Sequence, residues 1–84
     1  ALGGKPEEGK QHFERAIAIS EGKNLLVKVM YAEQYARLVF DQKLHDRLLN
    51  EVISSNPVVP ELTLINTFAQ EKAHKLLAES KDYF

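Results

Sequence analysis

Cysteine is absent from this chain of 84 residues. That excludes a disulfide framework, a thiolate metal site, a cysteine nucleophile and a lipid-anchoring cysteine within this stretch. It leaves the redox compartment open. No charge of one sign predominates: the formal net charge is -1, with Lys and Glu interspersed. Nucleic-acid binding needs a basic footprint, and this chain carries none. No apolar run approaches the length of a bilayer span. No secretory signal pattern opens the chain, so the reading expects any such segment to have been removed or to lie outside it. A first residue that is Ala rather than Met agrees with a processed or trimmed chain. No stretch alternates with the strand period over a useful length. Val58-Val59 is β-branched, but it is short and lies between Pro57 and Pro60.

What is present is helical. The stretch Asn24 to Phe40 is Leu, Val, Met, Tyr, Ala and Phe, interrupted by Lys28, Glu33, Gln34 and Arg37. A surface helix has one apolar stripe; one apolar almost all round is packed on several sides. The pattern therefore predicts a helix over about 25–40 covered from both flanks, with Asn24 as N-cap. A first helix is expected over about 6–20, where Pro6 suits the first position and Gly22 the stop. Phe13, Ala16, Ile17 and Ser20 share one face, with Gly9 a turn earlier. A third helix, capped by Asp41, fills about 41–55 on a stripe of Leu44, Leu48, Leu49, Val52 and Ile53. A fourth covers about 61–81, with Leu62, Ile65, Ala69, Ala73, Leu76 and Leu77 on one side. Short connections place successive helices antiparallel. The length holds one domain, 1–84.

Helix pairs invite a test for repeats. Residues 4–20 and 41–57 superpose as two copies, each resembling the second helix of a tetratricopeptide repeat. The first gives Gly9, Phe13 and Ala16. The second gives His45, Leu49 and Val52, with Pro57 at the closing position. Small residues let helices approach, and the bulky one fills the gap between repeats. His45, Val52 and Glu21 depart from that pattern. The expected fold class is all-α: antiparallel helix hairpins, a tetratricopeptide-like α-solenoid fragment of about four helices. The first copy lacks its leading helix, of which Ala1 to Gly4 would be the tail. A longer natural protein, or a partner subunit on that exposed face, is expected. An ordinary four-helix bundle is the structural alternative.

The residues also carry a closer likeness. Asn24-Leu-Leu-Val-Lys-Val-Met-Tyr-Ala-Glu-Gln-Tyr-Ala-Arg37 and Asp41-Gln-Lys-Leu-His-Asp-Arg-Leu-Leu-Asn-Glu-Val52 resemble the TRAP-transporter TatT component family, as do His12-Phe-Glu-Arg-Ala16 and Ala69 to Phe84. The likeness is to the C-terminal part of a member. It implies a non-catalytic periplasmic accessory protein with no cofactor, built from tetratricopeptide-like hairpins. It implies association with the solute-binding protein of a tripartite ATP-independent periplasmic transporter. It further implies self-association as a trimer, and membrane anchoring through an N-terminal lipid that this chain lacks. The residues alone leave a second function open, a generic tetratricopeptide-like peptide-binding domain.

In stacked hairpins the first helix of each pair lines the concave surface. Projection of the second helix puts Val27, Met30, Gln34, Arg37 and Leu38 there, with Tyr31 and Tyr35 toward the core. The binding-surface candidates are thus Met30, Gln34 and Arg37, with Asn66 and Gln70 on the fourth helix. Arg37 offers a planar fork for a carboxylate. His12, His45 and His74 lie on three different helices, without zinc-site spacing, and read as surface histidines beside helical partners. No metal site is expected. Ser20, Ser54, Ser55 and Ser80 sit near helix ends, where serine serves the backbone. No nucleophile elbow surrounds them, and no Lys-Ser or Lys-Thr follows Gly3-Gly4 to make a phosphate loop, so no catalytic residue is assigned.

Overall fold

The computed structural model describes residues 6–84, and among these the chain is all-α. Helix α1 spans Pro6–Ile19, α2 Leu25–Met30, α3 Gln42–Ser54 and α4 Thr63–Tyr83. A π-helical segment, Tyr31–Ala36, continues α2. The expected helical tail at Ala1 to Gly4 lies outside the described residues.

The helix ends follow from local chemistry. Asn24 Oδ1 accepts the Leu26 N–H at 3.2 Å, and Asp41 Oδ1 accepts the Leu44 N–H at 3.0 Å. Each satisfies a donor that the first turn leaves without a helical partner. After α1 the chain turns left-handed, with φ 55° at Glu21 and 74° at Gly22. The Gly22 N–H then closes on the Ile17 carbonyl at 2.9 Å, a Schellman-type stop that glycine makes without a Cβ penalty. Glu61 is also left-handed, with φ 68°. Helix α4 therefore starts at Thr63 instead of the expected position 61, and it runs on to Tyr83.

Cross-links fix the directions. Near its start α4 meets the start of α2, through Asn66 and Leu25. Near its end it meets the end of the π segment, through Glu79 and Arg37. These two helices therefore run parallel, while α3 lies antiparallel to both, pairing Glu51 with Lys28 and Asp46 with Ser80. Helix α1 packs on α2 and the π segment. Leu25, Val29, Ala32, Leu48, Leu49, Val52, Ala69, Ala73 and Leu76 form the shared core, flanked by Phe13, Ile17 and Leu77. Burying side chains such as Val29, Leu49 and Val52 contributes roughly 1.5–3 kcal/mol each.

The middle helix differs from its sequence reading. Its α-form stops at Met30; beyond it the Arg37 N–H reaches back five residues to the Ala32 carbonyl at 3.2 Å. The wider coil sets two adjacent rows, Tyr31 with Tyr35 and Ala32 with Ala36, into the core together. The prediction of helix over 37–40 is corrected: these residues form a turn, ended by a left-handed Phe40 at φ 56°. A bulky side chain rarely takes that conformation. The prediction of cover on both flanks also fails there, since Leu38 is 55 %, Val39 37 % and Phe40 71 % exposed. On α4, Ile65 is turned outward at 40 % exposure, because the core row is set by Asn66, Ala69, Ala73 and Leu76.

Candidate binding surface

Arg37 stands at the junction of three elements. Its Nε–H donates to His45 Nε2 at 3.1 Å, and its Nη2 donates to the Leu76 carbonyl at 3.4 Å. The same nitrogen lies 3.6 Å from Glu79 Oε1, and the guanidinium sits 4.6 Å from the centre of the Tyr83 ring. A guanidinium over an aromatic face is held by the ring quadrupole. The fork expected to grip a partner's carboxylate is thus engaged within the chain.

His45 is completely buried, which corrects its reading as a surface residue. It sits on the α3 face that packs against α4 and the π segment, with the Phe84 ring 5.0 Å away. A guanidinium only donates, so the Nε2 facing it holds a lone pair and the ring proton is on Nδ1. That proton goes to Asp46 Oδ1 at 2.9 Å, which also accepts from Ser80 Oγ at 2.7 Å. Gln42 Nε2 donates to Ser80 Oγ at 3.4 Å. A polar chain thus runs from α3 through α4 back to Arg37.

Beside Arg37, a groove of about 480 Å³ opens between the π segment and α4. Phe68 and Leu76 supply its apolar lining. Two ion pairs cross it with opposite polarity: Glu33 to Lys72 at 3.1 Å, then Arg37 to Glu79. Glu71 and Lys75 also line it. Such partly exposed pairs contribute about 0–1 kcal/mol each, so they shape the groove more than they stabilise the fold.

The remaining sequence candidates separate into two groups. Gln34 is exposed and Met30 half-buried, so both reach the surface of the middle helix. Asn66 and Gln70 do not serve as open surface. Asn66 is fully buried: its Oδ1 accepts the Leu25 N–H at 2.9 Å, and its Nδ2 donates to the carbonyls of Lys23 at 2.8 Å and Pro57 at 3.3 Å. Gln70 donates to the Val52 carbonyl at 3.1 Å and the Ser55 carbonyl at 2.7 Å. Both side chains satisfy backbone groups that helix ends and turns leave open, which is why these polar residues face inward.

A further tie joins α1 to the rest. The Tyr31 ring stacks on Phe13 with centroids 5.3 Å apart, and its hydroxyl donates to Glu14 Oε2 at 3.0 Å. Burial, then the hydrogen bond and charge of Glu14, hold the phenol well above its ordinary range. Sequence reasoning missed Glu33, Phe68, Lys72 and Glu79. The two ion pairs join residues 39 and 42 apart, and no local pattern marks those pairings; the i, i+4 steps Glu33 to Arg37, Phe68 to Lys72 and Lys75 to Glu79 show only which residues share a helix face.

Among the described residues, no group of three or more His, Cys, Asp or Glu is placed to hold a metal ion, and no helix is long and apolar enough to cross a membrane. In comparisons with known proteins, a family model described as TRAP transporter T-component (TAtT) matches residues 1–84, the whole chain. No curated protein and no solved structure matches it.

Proposed function

Because the chain belongs to the TRAP transporter T-component family, an accessory family of these transporters, we propose that it is a non-catalytic scaffold that binds the transporter's solute-binding protein. The observation that carries this reading is the groove beside Arg37. Its wall charges alternate and sum to zero across the two crossing pairs, over an apolar lining. A small anionic solute is best held by an excess of positive charge. A surface that alternates in sign, with Phe and Arg at its centre, suits a protein partner.

In this reading the working surface comprises Glu33, Arg37, Phe68 and Lys72, with Gln34 and Met30 on the adjoining helix face. The four helices act as one unit, and the parallel course of α2 and α4 is the arrangement that leading helices adopt in tetratricopeptide-like stacks. A periplasmic location, a lipid anchor and self-association as a trimer belong to the same reading, from family likeness.

Capture of the solute-binding protein of a TRAP transporter from the same organism tests the proposal. Retention on the immobilised chain, weakened by Lys72→Glu without a change in melting temperature, is the expected result. Equal retention by wild type and Lys72→Glu removes the groove from the interface. No retention at all by the complete natural protein overturns the scaffold role.

A further inference from the structure

We propose that His45 is an acid-operated latch on Arg37: when the imidazole takes a second proton, the guanidinium is expelled from its seat and turns toward the groove. The buried ring has both nitrogens engaged, and they are not equivalent. Nδ1 gives its proton to Asp46 at 2.9 Å, while Nε2 receives the Arg37 Nε–H at 3.1 Å. A second proton can enter only at Nε2. It then opposes another N–H at that distance, and two cations stand in contact away from water.

The Asp46 side is unharmed by the same event. A carboxylate accepts the Nδ1 proton in both states and is bound more firmly by an imidazolium. Proton uptake therefore keeps His45 on Asp46 and breaks its tie to Arg37. The charged and titratable groups around the ring agree with that direction: Arg37 from the middle helix, Asp46 on α3, and Glu79 and Tyr83 near Arg37 on α4, with the uncharged Ser80 and the Phe84 ring between them. The outlet for the guanidinium is on the groove side, where the Glu79 carboxylate is about half exposed.

Two changes follow. The end of α4 loses the Leu76 and Tyr83 contacts that Arg37 makes. The groove wall gains a planar fork free to take a partner's carboxylate in two parallel hydrogen bonds. The second consequence rests on the groove being the docking surface proposed above; the latch itself does not.

An NMR titration of the full chain, without any partner, decides the matter. At neutral pH the His45 ring shows the Nδ1–H tautomer, and Arg37 side-chain protons show NOEs to the Tyr83 ring. On acidification those NOEs vanish in step with the imidazolium signal of His45. In His45→Gln, whose carbonyl accepts from Arg37 but takes no proton, they persist throughout. The idea is overturned by an Nε2–H tautomer at neutral pH, or by Arg37–Tyr83 NOEs that survive protonation of His45. The wild-type titration suffices should His45→Gln not fold. A failed partner capture leaves this readout untouched.

Discussion

Asn66 and Arg37 tie α4 to the same neighbouring helix at its two ends, by opposite means. The Asn66 tie is neutral, fully buried and saturated, with one bond accepted and two donated, all to backbone. The Arg37 tie is charged, lies at the lip of a groove, and is shared between the buried His45 ring, the Leu76 carbonyl and the half-exposed Glu79 and Tyr83 side chains. The difference teaches where this fold stores stability and where it keeps freedom. A neutral amide closing three backbone gaps carries little desolvation penalty in the folded state and leaves heavy costs if removed. A guanidinium shared among an imidazole, a carbonyl, a carboxylate and a ring has several exchangeable partners.

Breaking the first tie has the largest expected effect. Asn66→Leu keeps the branched shape but strands the Leu25 N–H and two carbonyls, and should lower unfolding free energy by about 3 kcal/mol in a urea melt. A loss below about 1 kcal/mol would mean that the side chain does not close those gaps.

Arg37→Ala comes next, at about 2 kcal/mol. Most of it arises from the His45 acceptor left buried and from the lost contact of the guanidinium with the Tyr83 ring. A loss as large as that of Asn66→Leu would erase the proposed contrast between the two ends.

Tyr31→Phe sharpens the comparison with a third tie, from α1. It should cost about 1 kcal/mol at neutral pH through the lost bond to Glu14. The folded state holds the Tyr31 proton more tightly than the unfolded chain does. That contribution is therefore complete below the ordinary tyrosine range and fades as pH rises above about 10. Thermal melts should show an alkaline decline in wild type that is shallower in Tyr31→Phe.

Gln34→Ala is the smallest, within about 0.5 kcal/mol in the same melt, because the side chain is exposed on the middle helix.

Much of the helical frame was legible in the residues. Asn24 and Asp41 cap where their side-chain chemistry says they should, and Gly22 stops α1. The α3 stripe Leu48, Leu49 and Val52 is buried as its spacing requires. What failed has physical causes. Hydrophobicity marks residues that can be buried, yet Leu38, Val39 and Phe40 stay exposed, Phe40 beside the Tyr83 and Phe84 rings at the end of α4. A π segment has no distinct local signature, since the same Tyr and Ala residues also suit an α-helix. Polar residues were read as surface because most are, but Asn66, Gln70 and His45 face gaps in the backbone and in other helices. Those gaps exist only once the chain has folded. The likeness to the transporter family was carried by stretches of all four helices, whereas the groove was not visible, because its walls come from residues far apart in sequence.

The Asn66 contacts have one mechanical consequence. Because this side chain grips the connection leading into α2 as well as the one leading into α4, sliding α4 along its own axis would rupture all three bonds together. Asn66 thus sets the axial position of α4, and with it the level at which Ser80 and Tyr83, fourteen and seventeen residues further on, meet Asp46 and Arg37.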